Sequence, residues 1–240
     1  MPWTQTRVTV YGRAIRSSPL SSSTAQPSRS FRDYSDGEIV ADGAVHAAAL
    51  VAGVIGFSVL FQKVAMVGAF SDGVAMAIYA AGFFLLFGFS CAYNMAPASP
   101  AKALLRRFDH ASIYLMIGGT YTALLSQARA SFWAVALGAF VWTATLSGAS
   151  VKLFLPGRLD RFAVRLYLAF GWSALVAVKP LVASLPPDTL VFVFAGGALY
   201  SVGVAFHLWE SLKFQNAIWH ACVAIAAACH FAGVLKAVGQ

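Results

Sequence analysis

Charge is what this 240-residue chain has least of: 11% of its residues are Asp, Glu, Lys or Arg, and only 9 are acidic. Set beside 59% hydrophobic residues and a mean hydropathy of +0.71, that scarcity excludes an ordinary soluble domain, whose surface needs far more charge. The apolar runs lack the alternation of apolar and polar residues that a barrel strand requires, which excludes an outer-membrane barrel. Cysteine is scarce as well. Cys91, Cys222 and Cys229 fall in or beside apolar runs and read as small buried hydrophobes, not as a disulfide framework. No basic patch with interleaved aromatics stands outside the runs, so no nucleic-acid partner is expected despite a formal charge of +8. No apolar run lies near the start, and a secretory signal is not expected.

What is present is a series of continuous apolar runs, each about the 20 residues a helix needs to cross a bilayer. They lie at 42–61, 73–93, 110–127, 132–150, 162–178, 190–209 and 216–238. The expected fold is therefore an all-α integral membrane bundle of seven transmembrane helices, residues 38–240, with membrane lipids as its surroundings. Residues 1–37 are polar and rich in Arg and Ser, which predicts a disordered basic tail. The same acid-poor make-up also resembles an organellar transit peptide. Of the 17 Lys and Arg residues, only Lys63, Arg129, Lys179 and Lys236 fall on the second side of the membrane. Positive charge marks the cytoplasmic side, so the amino terminus is expected inside and the carboxyl terminus outside. Gly118-Gly119, Gly196-Gly197 and Ala226 to Ala228 are small enough for close helix approach.

Polar residues inside such helices are costly and usually face a partner or a cavity. Glu38, Asp42 and His46 are spaced i, i+4, i+8 into the first span and would line one stripe. Ser90 and Asn94 repeat the spacing at the end of the second span, and Asn216 and His220 at the start of the seventh. Asp109 and His110 open the third, and His207 ends the sixth. Topology brings all of them to the cytoplasmic face. His230 lies deeper and reads as a hydrogen-bonded core residue, and His207, near Glu210, as an interfacial one.

These residues resemble the hemolysin III family, the bacterial branch of the progestin and adipoQ receptor superfamily. The resemblance is carried over about 38–236 by Glu38-x3-Asp42-x3-His46, Ser90-x3-Asn94, Phe108-Asp109-His110 to Gly119-Thr120-Tyr121-Thr122, and Asn216-Ala-Ile-Trp-His220 through Cys229-His230-Phe231. It implies a seven-helix fold with zinc near the cytoplasmic face. The implied ligands are a His four residues after the Ser of the second helix and two His spaced i, i+4 on the seventh. It also implies that Ser90 lies beside that site and that Asp109 is the acid associated with a metal-bound water. This chain departs from the pattern: Asn94 and Asn216 stand at two ligand positions, and only His220 remains.

A neutral amide oxygen suits zinc poorly, so a weakened site for zinc or another divalent metal is expected. Asn94 and Asn216 can instead bond each other or Ser90. Asp42, His46, Asp109 and His110 are candidate substitute ligands beside His220, and the spacing selects no set among them. Three roles follow. The leading one is a non-catalytic receptor or regulator of membrane state in the inner membrane. The second is a metal-dependent hydrolase of lipid amides, with His220 as ligand, Asp109 as water-orienting base and Ser90 as oxyanion donor. The third is proton-linked transport through Asp42, His46, Asp109 and His220. The cytolytic association of the family name finds no secretion signal or pore-forming amphipathic stretch here.

Overall fold

The computed structural model describes residues 34–128, 131–158 and 160–240. Most of the expected basic tail, and Arg129 among the sorted charges, lie outside the described residues. Among the described residues the chain is helical, with no strands. The helices are α1 (Asp36–Val67), α2 (Phe70–Met95), α3 (Pro100–Gln127), α4 (Phe132–Phe154), α5 (Ala163–Gly171), α6 (Val178–Ser184), α7 (Pro187–Leu208) and α8 (Gln215–Ala237). α1, α2, α4, α7 and α8 are long and apolar enough to cross a membrane. α3 is 28 residues long, but its first turns carry Lys102, Arg106, Arg107 and Asp109.

Local chemistry sets the helix starts. Ser35 caps α1 reciprocally with Glu38: the Glu38 N–H donates to Ser35 Oγ, and Ser35 N–H donates to Glu38 Oε2 at 3.0 Å. Ser99 caps α3 just before Pro100, whose missing N–H costs nothing in a first turn. Ser131 caps α4 in the same way.

The expected span at 162–178 is not one regular helix. α5 gives way to a 3-10 segment, Trp172–Ala177, before α6 begins. Pro180 follows closely and has no N–H to give to the Val176 carbonyl, which removes one rung of an α-helix there. Tyr121 of α3 takes up the groups that the break frees. Its hydroxyl donates to the Gly171 carbonyl at 2.8 Å and accepts from the Ala174 N–H at 2.7 Å. In an apolar surrounding such groups must find partners within the protein.

α2 runs along α3, α7 along α8, and α1 against both α2 and α8. The expected close approach of glycines is seen at Gly119, where a Cβ would meet the α2 backbone at 3.0 Å, and at Gly196, where one would meet His230 at 2.3 Å. One apolar core lies among α1, α2, α3 and α8, centred on Phe57, Tyr79, Phe83 and Phe87. A second joins α3, α4 and the 163–184 stretch through Tyr114, Tyr121 and Phe170. Cys91, Cys222 and Cys229 are free thiols.

Candidate functional site

α1, α2 and α8 carry the polar centre. The i, i+4, i+8 stripe of α1 faces α8. At its outer end Glu38 Oε1 accepts the Phe214 N–H at 3.0 Å. Phe214 has φ 58, the left-handed region that a bulky side chain rarely adopts. The strained corner turns the chain into α8 and sets the height of Asn216 and His220.

Below it, five side chains close a ring of hydrogen bonds. Asp42 Oδ1 lies 2.6 Å from His220 Nδ1. His220 Nε2 faces the Ser90 hydroxyl at 3.3 Å. The Asn94 amide donates to Ser90 Oγ at 3.3 Å and to the Ser90 carbonyl at 2.8 Å. The Asn216 amide then donates to Asn94 Oδ1 at 3.1 Å and to Asp42 Oδ2 at 3.3 Å. A carboxylate only accepts, so the His220 nitrogen beside Asp42 carries a proton. Asp42 is 2% exposed and Ser90 5%, so these bonds form away from water and are stronger for it.

His46 sits beside this ring, fully buried, with its ring centroid 4.5 Å from that of His220. Its Nδ1 donates to the Asp42 backbone carbonyl at 2.8 Å. Its Nε2 is buried without a hydrogen-bond partner. Donor atoms of Asp42, His46 and His220 lie within 4.8 Å of one another. Asp109 lies near the Ser90 hydroxyl, His220 and Asp42. His110 does not join the Asp42, His46 and His220 group, and its carbonyl accepts the Tyr167 hydroxyl at 3.2 Å. The His207 ring lies 5.1 Å from that of Trp219, tilted by 46°, and His230 bonds the Val193 carbonyl at 3.0 Å.

The spacing left open which of Asp42, His46, Asp109 and His110 pairs with His220, and the structure pairs it with Asp42 across α1 and α8. The signal available was an acid one turn before His46 in an otherwise apolar run. Sequence reasoning missed the buried Lys152, whose Nζ donates to Asp160 Oδ1 at 2.8 Å while Arg106 reaches Oδ2 at 3.1 Å.

The zinc set that the resemblance implied does not fit these residues. It would need the side chains at 94, 216 and 220, and Asn94 and Asn216 are engaged with each other and with Ser90 and Asp42. Two amides and one imidazole are also a poor donor set for zinc.

A second feature lies among α3, the 163–184 stretch, α7 and α8. It is an apolar cavity of about 110 Å³ walled by Tyr121, Trp172, Ala174, Phe194, Tyr200 and His230 among others.

Fold and site together define a multi-pass helical membrane protein with a buried polar centre gathered by α1, α2 and α8. The chain belongs to the haemolysin-III related family, whose model matches residues 40–231. It is 33% identical over 198 residues to Hemolysin-3 of Bacillus cereus, covering 82% of this chain and 90% of that protein. Against the Hemolysin-3 homolog of Bacillus subtilis (strain 168) the identity is 32%, covering 82% and 93%. The human monocyte to macrophage differentiation factor is 27% identical over 167 residues, covering 66% and 68%. That mammalian similarity supports the wider progestin and adipoQ receptor superfamily.

Proposed function

We propose that the chain is a seven-span protein of the inner (plasma) membrane, with a cytoplasmic basic tail, acting as a non-catalytic receptor or regulator of membrane state. The observation that carries this reading is the closed ring from Asp42 through His220, Ser90, Asn94 and Asn216. It engages His220 and the Ser90 hydroxyl, which the hydrolase reading would use as metal ligand and oxyanion donor. Five helices qualify as spans. α3 and the 163–184 stretch, each longer than about 20 residues, would supply the other two crossings. The bias of Lys and Arg supports an inside amino terminus.

A receptor needs a ligand, and the apolar cavity of about 110 Å³ at Trp172 and Phe194 has room for a short apolar segment, such as a few methylenes of a lipid tail. Purified protein in lipid vesicles is expected to bind a fluorescent fatty-acyl probe and to lose that binding in Ala174→Phe, which fills the cavity. The same vesicles should hydrolyse a long-chain N-acyl amide lipid no faster than protein-free controls. Turnover that disappears in Ser90→Ala or Asp109→Asn overturns the non-catalytic reading.

A further inference from the structure

We propose that Asp42, His46 and His220 form a site for a divalent transition-metal ion of the zinc class, distinct from the set at 94, 216 and 220. Three observations converge on these side chains. Donor atoms of the three lie within 4.8 Å of one another. His46 presents a lone pair with no partner: Nδ1 gives its proton to the Asp42 carbonyl, so the free electrons are on Nε2, which is buried and unsatisfied. A buried acceptor left bare loses its hydration with nothing in return.

The third observation is the shell around the three. Metal-binding imidazoles usually donate their other nitrogen to a carbonyl, carboxylate or similar acceptor, which fixes tautomer and orientation. His46 Nδ1 has the Asp42 carbonyl. His220 Nε2 has Ser90 Oγ. Asp42 Oδ2 receives the Asn216 amide while Oδ1 faces His220 Nδ1. Each would-be ligand is thus already held from behind, with one donor atom left for the ion.

Binding requires a tautomer change and a small opening. The His220 proton moves from Nδ1 to Nε2, where it is donated to Ser90 Oγ, and the Nδ1 lone pair turns to the metal. No net proton is gained or lost by the neutral imidazole. Tetrahedral ligands at about 2.0–2.1 Å from an ion stand roughly 3.3 Å apart, so the 2.6 Å contact of Asp42 with His220 must widen by less than 1 Å, and His46, whose donor lies within 4.8 Å of the others, must close in by up to about 1.5 Å. The ring of hydrogen bonds and the metal therefore compete for Asp42 and His220, which makes the ion a means of altering how α1 and α8 are joined. The inference stands apart from the regulator reading, because occupancy is measured without any activity.

The test uses the full chain in lipid nanodiscs, stripped with chelator, loaded with zinc or cobalt(II) and dialysed against metal-free buffer. One ion per chain is expected in the wild type, with cobalt giving the visible bands of a low-coordinate site. His46→Ala should lose the stoichiometric ion, whereas Asn94→Ala should keep it. Asn216→Ala should bind about 10-fold more weakly, as loss of an outer-shell partner does. No retained ion in the wild type, an ion unaffected by His46→Ala, or an ion lost in Asn94→Ala each overturns the site. Should His46→Ala fail to fold, electron–nuclear double resonance on copper(II)-loaded wild type decides it: couplings from two imidazoles support the site, and one or none refutes it.

Discussion

Asp160 shows how much one side chain can carry in a chain so short of charge. It lies in the short 3-10 helix Asp160–Phe162, outside the spans, and pairs with Lys152, whose side chain is only 3% exposed. Removing one partner of a buried ion pair leaves the other charge uncompensated, at a cost of about 3–5 kcal/mol. Asp160→Ala is expected to destabilise by that order in thermal or denaturant unfolding. The pH dependence follows from the same contacts. Burial pushes the Asp160 carboxyl up, but Lys152 and then Arg106 outweigh it and hold the carboxyl below its ordinary value. A depressed folded value means the contribution is complete above the unfolded value, near pH 4, and disappears as pH falls through the folded one. The wild type should lose stability below about pH 4 relative to its neutral value. Asp160→Asn should lack that part of the loss.

At the scale of elements, the break between α5 and α6 is a polar backbone problem solved by a neighbour. The Tyr121 hydroxyl bonds both the Gly171 carbonyl and the Ala174 N–H, so α3 holds the broken stretch in place. Tyr121→Phe keeps the ring and removes only the oxygen, leaving two backbone groups without their partner. We expect a loss of about 1–3 kcal/mol per unsatisfied group, read as a lower unfolding temperature in detergent. Faster hydrogen exchange should be confined to 171–177. An unchanged exchange pattern there would show that the hydroxyl is not the support. The same reasoning applies to α8, whose entry depends on the strained Phe214 corner and the Glu38 carboxylate that holds its N–H.

For the whole molecule the open question is orientation, and impermeant labelling answers it. In a background with Cys91, Cys222 and Cys229 replaced, Arg158→Cys lies in the exposed α4–α5 connection and Ser71→Cys at the exposed start of α2. With the amino terminus inside, intact cells should label Ser71→Cys with a charged maleimide and spare Arg158→Cys until they are lysed. The reverse pattern would invert the topology. The two ends also differ in kind. The end near Ser71 has Lys63 Nζ bonding the Leu235 carbonyl at 2.8 Å and Gln127 bonding Asp72 at 3.0 Å, whereas the other gathers Lys102, Arg106, Lys152 and the polar ring.

Much of this was legible without coordinates. The apolar runs placed α2, α4, α7 and α8 to within about four residues and α1 short by about six at each end, because a helix exposed to lipid must satisfy its backbone internally and be apolar along its length. The i, i+4 spacing put Asp42 with His46, Ser90 with Asn94 and Asn216 with His220, since helical geometry is local. The substitution of amides at 94 and 216 was likewise visible, and with it the doubt about zinc at the implied position. The sequence by itself therefore determined the membrane class, the five long apolar helices and which residues share a face. Only the tertiary structure decided the pairing of Asp42 with His220, the lone nitrogen of His46, the absence of His110 from that group and the Tyr121 brace. Those depend on how far each helix is rotated and raised against the next. Rotation and height come from packing at glycines such as Gly119 and Gly196 and from the Phe214 corner, summed over many contacts far apart in the chain.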